Sequence, residues 1–110
     1  MKLPNAQHAV VELEKLVDYC LNPEHERGKH KARVFAAACG IEAPHAELLR
    51  QALLGAAVQA EATLTFSDRF GARYVVEFTV QGPTGSALVR SSWIVRSSED
   101  FPRLTSCYVV

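Results

Sequence analysis

The stretch Arg27-Gly28-Lys29-His30-Lys31-Ala32-Arg33 sets four basic residues and a histidine within seven consecutive positions, the densest cationic feature of the chain. Toward the other end, Arg90, Ser92 and Arg96 are followed by Arg103, Thr105, Ser106 and Tyr108. These residue types form the set that cleaves RNA without a metal. A base takes the 2′-OH proton, an acid protonates the leaving 5′-oxygen, and a cation carries the charge of the phosphorane. On that chemistry His30, Lys31, Arg90, Ser106 and Tyr108 are the candidate catalytic residues, and Lys29, Arg33, Arg96, Arg103 and Thr105 the candidate substrate contacts. Basic side chains at a helix start oppose the macrodipole, but with the free backbone N–H groups there they suit a phosphate. The plainer interpretation assigns the first cluster to a solvated helix face, partly neutralised by Glu24 and Glu26, and the second to the outward half of a sheet.

Other chemistries find less support. His8, His25 and His45 have no partner at metal-ligand spacing, and no phosphate-binding loop, dinucleotide fingerprint, nucleophile elbow or calcium loop occurs. Acidic residues are dispersed, so a magnesium-dependent nuclease has no visible support, and neither a metal nor a cofactor is expected. Cys20, Cys39 and Cys107 are odd in number and lack metal spacing, so they read as reduced core or strand residues. Trp93 reads as core. Twelve basic and twelve acidic side chains give a net charge of zero, so an RNA partner needs a local patch. With no signal-peptide pattern and no long apolar run, the expectation is a cytoplasmic protein without a membrane span.

Positioning these side chains falls to two halves of one domain, residues 1–110, which changes period near Ala60. Before it, Asn5 is expected to cap a helix with Val10, Leu13, Leu16, Val17 and Cys20 inward. A second helix runs from Lys29 to Cys39, closed by Gly40, with Val34, Phe35 and Ala38 as its buried stripe. A third, with Pro44 in its first turn, runs to about Gln59 and buries Ala46, Leu49, Ala52, Leu53 and Ala57. Residues 61–110 turn β-branched and aromatic, with strands at Ala62 to Phe66, Arg73 to Val80, Ser86 to Arg96 and Leu104 to Val109. Their connectors are too short for crossover helices. The fold class is therefore α+β, helices followed by a four-stranded antiparallel meander. Tyr74, Val76, Phe78 and Val80 form the core side of the second strand, and Val89, Trp93 and Val95 share a side with Ser91. The last strand has mixed faces, so its register stays open.

The runs Lys2-Leu3-Pro4-Asn5-Ala6, Tyr19-Cys20-Leu21-Asn22-Pro23, Gly28 to Phe35, Gly82-Pro83-Thr84-Gly85, Ser92-Trp93-Ile94-Val95 and Pro102 to Tyr108 resemble a bacterial family known as domain of unknown function 6883. The resemblance covers nearly the whole chain. Its members stand alone or end larger bacterial proteins, a deployment similar to that of toxin domains. The element order also looks like the fold of barnase, EndoU, colicin nuclease domains and RelE-type interferases, an analogy of architecture and residue types. Under that analogy His30 and Lys31 correspond to a helix-borne base, Arg90 to a strand arginine, and Ser106 with Tyr108 to the closing strand's hydroxyls. No histidine follows His45, so a scheme of lysine, arginine and tyrosine fits better than a two-histidine one. The leading expectation is a metal-independent endoribonuclease toxin, with RNA as substrate and an antitoxin as protein partner. The alternatives are a non-catalytic protein-binding module and a small-molecule domain with a pocket between helices and sheet.

Overall fold

The computed structural model describes residues 1–110. Helix α1 (Leu13–Lys15) runs directly into a π-helical turn, Leu16–Cys20, and is followed by α2 (Lys29–Cys39) and α3 (Ala46–Gln59). Strands β1 (Ala62–Asp68), β2 (Gly71–Gln81), β3 (Ser86–Arg96) and β4 (Pro102–Val109) complete the chain as one antiparallel sheet in the order β1-β2-β3-β4. The expected α+β meander is the observed fold. No helix is long and apolar enough to cross a membrane.

Local signals explain α2 and α3. Gly40 adopts φ 76°, the left-handed conformation that closes a helix at little steric cost. Ahead of α3, a 3₁₀ turn over Ala43–His45 carries Pro44 and a capping box in which the Glu42 N–H donates to His45 Nδ1 at 3.0 Å. The buried stripe of α3 is Ala46, Leu49, Leu53, Ala56 and Ala57, at spacings that keep one face inward.

The first helix differs from expectation. Asn5 caps nothing: it sits at φ 49° and its side-chain amide donates to the Asp100 carbonyl. Only a 3₁₀ turn, Ala6–His8, follows it, because Val10 is taken by a parallel bridge to Arg103 at the margin of β4. Leu16 and Cys20 are buried as expected, while Leu13 and Val17 are exposed. In α2 the stripe is Ala32, Phe35 and Cys39 rather than Val34, Phe35 and Ala38. The helix is rolled so that Val34, 45% exposed, joins His30 one turn away on an open face.

Register divides the sheet cleanly. Val76, Val89, Ser91, Trp93, Leu104 and Cys107 face the helices and are buried. Ser91 is the one buried polar residue, and it is satisfied: its hydroxyl donates to the Val76 carbonyl at 2.7 Å and accepts from Trp93 Nε1 at 2.9 Å. The opposite, outer face carries Arg73, Val75 and Glu77 of β2, Arg90, Ser92, Ile94 and Arg96 of β3, and Arg103, Ser106 and Tyr108 of β4. Simple alternation cannot give that last set. Trp93 pairs with Leu104 but Ser92 with Ser106, so Thr105 is an inserted bulge residue that reverses the facing of everything after it.

Candidate functional site

The cluster forms where α2 meets the free edge of β4. Lys31, on the first turn of α2, donates from Nζ to Tyr19 Oη at 2.8 Å and to Ser106 Oγ at 3.1 Å. Two of its three donors are thereby used and its position is fixed from a helix and a strand together. Its ammonium lies 4.8 Å from the Tyr19 ring centroid and 5.7 Å from that of Tyr108.

Tyr19 reaches this point because it sits in the π-helical turn, a rare backbone form enriched at functional sites. The loop before α2 frames it. The His25 ring meets Tyr19 edge-on at 4.8 Å, and its Nδ1 accepts the N–H groups of Arg27 at 3.0 Å and Gly28 at 2.9 Å. A Cβ on Gly28 would collide with the Tyr19 carbonyl oxygen, so only glycine allows the loop to close over the turn.

From the sheet side, Glu77, Arg90 and Tyr108 occupy one cross-strand row. Arg90 Nε donates to Glu77 Oε2 at 2.8 Å, and its Nη1 donates to Tyr108 Oη at 3.2 Å. The Tyr108 hydroxyl, with Glu77 beside it, pushes the Arg90 guanidinium above its ordinary range. Arg90 also lies 5.9 Å from the Tyr108 ring centroid, so two cations from distant parts of the chain share one aromatic ring. A shallow hollow of about 240 Å³ opens beside them, lined by His30, Lys31, Val34, Tyr108 and Val109.

Beneath the site lie two buried thiols. The neighbouring Cys107, with Lys31 and Ser106 nearby, pulls the Cys20 thiol down to about 7 despite its burial. Cys107 moves the other way, held protonated by the same contact and by desolvation. All three cysteines are free and buried, in keeping with their assignment to the core.

Of the sequence-predicted residues, His30, Lys31, Arg90, Ser106 and Tyr108 thus gather in one region. Lys29 adjoins them in the chain, whereas Arg33 lines a separate hollow with Leu21, Pro23 and Pro44. Arg96 and Arg103 share the outer face with Arg90 but stand at its other end, where Glu99 binds Arg103 through both oxygens at 2.8 Å and reaches Arg96 at 4.0 Å. Thr105 spends its hydroxyl on the Ser92 carbonyl at 3.1 Å and lines a third hollow with Glu12, Asp18 and Tyr19.

Two participants escaped the sequence reading. Glu77 was recoverable: counting back from the Gln81/Ser86 ends of the hairpin puts it opposite Arg90. Tyr19 was not, since nothing in its neighbours announces a π-turn. The largest hollow, about 500 Å³ between α3 and the end of β2, is lined by Leu48, Ala52, Ala56 and Phe78 among others and contains no titratable side chain. No three His, Cys, Asp or Glu side chains converge as a metal ion requires.

Fold and site together define an α+β domain whose polar cluster bridges a helix and a sheet edge. The chain belongs to the family described as a domain of unknown function (DUF6883), whose model matches residues 2–110. No curated protein matches the chain.

Proposed function

We propose that the protein is a metal-independent endoribonuclease of toxin type, working in the cytoplasm and restrained by an antitoxin. One observation carries the reading: Lys31 of α2 and Arg90 of β3 converge on the Tyr108 phenol, with an imidazole, His30, on the rim of the same hollow. In this scheme His30 takes the 2′-OH proton and the freed oxygen attacks phosphorus. The bond from phosphorus to the 5′-oxygen breaks, Tyr108 protonates that oxygen, and a 2′,3′-cyclic phosphate is left. Lys31 and Arg90 hold the non-bridging oxygens, where positive charge counts most in the transition state. Tyr19 and Ser106 position Lys31, and Glu77 positions Arg90. The ribonuclease folds with helices ahead of a four-stranded meander support the reading by analogy of architecture.

The decisive assay incubates purified protein with RNA in excess chelator and examines the product ends. Cyclic phosphate termini, lost by about a hundredfold or more in rate with Lys31→Ala or Tyr108→Phe, are the expected result. Intact RNA in every sample removes the proposal. A partner-binding module is the second reading, favoured by Leu64, Phe66 and Phe70, which are 48%, 52% and 56% exposed around one hairpin.

A further inference from the structure

The same outer face carries a second cluster, at the β1–β2 hairpin. Phe66, Arg73, Ile94 and Arg103 form one cross-strand row, and Arg96 follows Ile94 on the same side. Phe66 is exposed, and the Arg73 guanidinium lies 5.3 Å from its ring centroid. Arg73 is in no ion pair, and its Nε is a buried donor with no hydrogen-bond partner. Thr65 is a bulge residue: Leu64 pairs with Tyr74 on the helix side, whereas Phe66 pairs with Arg73 on the outer side. The exposed apolar side chains are thereby split between two faces, which disfavours one contiguous docking patch for a protein.

We propose that this row is a subsite for single-stranded RNA, in which a base stacks on Phe66 and the backbone phosphates lie along Arg73 and Arg96. An exposed aromatic ring beside a guanidinium that no carboxylate holds, as Phe66 and Arg73 provide, is the arrangement that binds single strands without reading sequence. Charge selects the partner: four arginines, Arg73, Arg90, Arg96 and Arg103, share a face whose carboxylates, Glu77 and Glu99, are committed to three of them. The four residue steps from Arg73 to Glu77 span about 14 Å along β2, so one strand of a few nucleotides crosses Ser92 and Ser106 and enters the hollow at Lys31 and Tyr108. This subsite rests on the ribonuclease reading, and it adds substrate length and single-strandedness to it.

The test measures binding of a 2′-O-methyl oligonucleotide of about eight residues, which cannot supply the attacking hydroxyl, beside cleavage of a dinucleotide too short to leave the hollow. Phe66→Ala and Arg73→Gln are expected to weaken oligonucleotide binding about tenfold each and to leave dinucleotide cleavage unchanged, while Phe66→Tyr keeps wild-type affinity. Arg73→Gln also lowers the slope of log affinity against log salt by about 0.7. Thermal melts of the variants matching the wild type show that the fold is intact. Equal affinities for wild type and Phe66→Ala, or no binding by the wild type, overturn the subsite and hand the exposed hairpin to a protein partner. Failure of the parent reading looks different: the wild type then cleaves neither substrate, whatever its affinity for the oligonucleotide.

Discussion

On the helix-covered face of the sheet, Trp93, Val76, Val89 and Cys107 are at most 1% exposed, whereas the outer face holds four arginines with two glutamates among them. The first is held by burial of apolar area and by a single satisfied polar group, Ser91. The second is held by ion pairs such as Arg90 with Glu77, whose side chains are 39% and 42% exposed and which therefore add little to stability. A face that contributes little to folding can be altered without loss of the fold. The apolar core and the polar cluster accordingly lie on opposite sides of the same strands.

The strongest way to break that division is Trp93→Ala. Removing the largest buried side chain is expected to cost about 3–5 kcal/mol in denaturant unfolding, enough to abolish cleavage only through loss of folded protein. Tyr108→Phe should do the reverse, lowering cleavage about a hundredfold, roughly 2.7 kcal/mol of barrier, with an unfolding midpoint close to wild type. A large stability loss there would make the outer face structural.

Gly28→Ala probes the seam between the two regions. The added methyl pushes Tyr19 away from Lys31, and the expected result is a drop of about 1–2 kcal/mol in stability with a larger fractional loss of cleavage than of folded protein. Equal losses would mean that the π-turn serves packing alone.

A further test lies under the site. The folded chain holds the Cys20 thiol near 7 against an ordinary 9.0, so between those values it binds fewer protons than the unfolded chain. Stability therefore rises with pH across that window and is lost as pH falls through about 7. Cys107, shifted upward, works oppositely above its ordinary value and turns the curve down again. Denaturation midpoints measured across the window should climb in the wild type and lie flat in Cys20→Ser; a climb in both would place the proton elsewhere.

Helices α2 and α3 were legible because Gly40, Pro44 and the apolar spacing act within a few residues of where they stand. The β3 strand was legible for the same reason, through its alternating residues and flanking turns. The segment from Asn5 to Cys20 misled because its apolar spacing suits a helix, while tertiary contact draws Val10 into a bridge with Arg103 and rewinds Leu16–Cys20 as a π-turn. In the candidate site, the residue types were visible in the chain but their meeting was not.

By itself, then, the sequence determined an α+β chain with its cationic helix start and its late arginine and hydroxyl residues, because composition and period are local properties. Tertiary structure alone decided that Thr105 bulges out of β4. That single inserted residue turns Ser106 and Tyr108 toward the face of Arg90 and Cys107 toward the core, since every side chain beyond a bulge changes face.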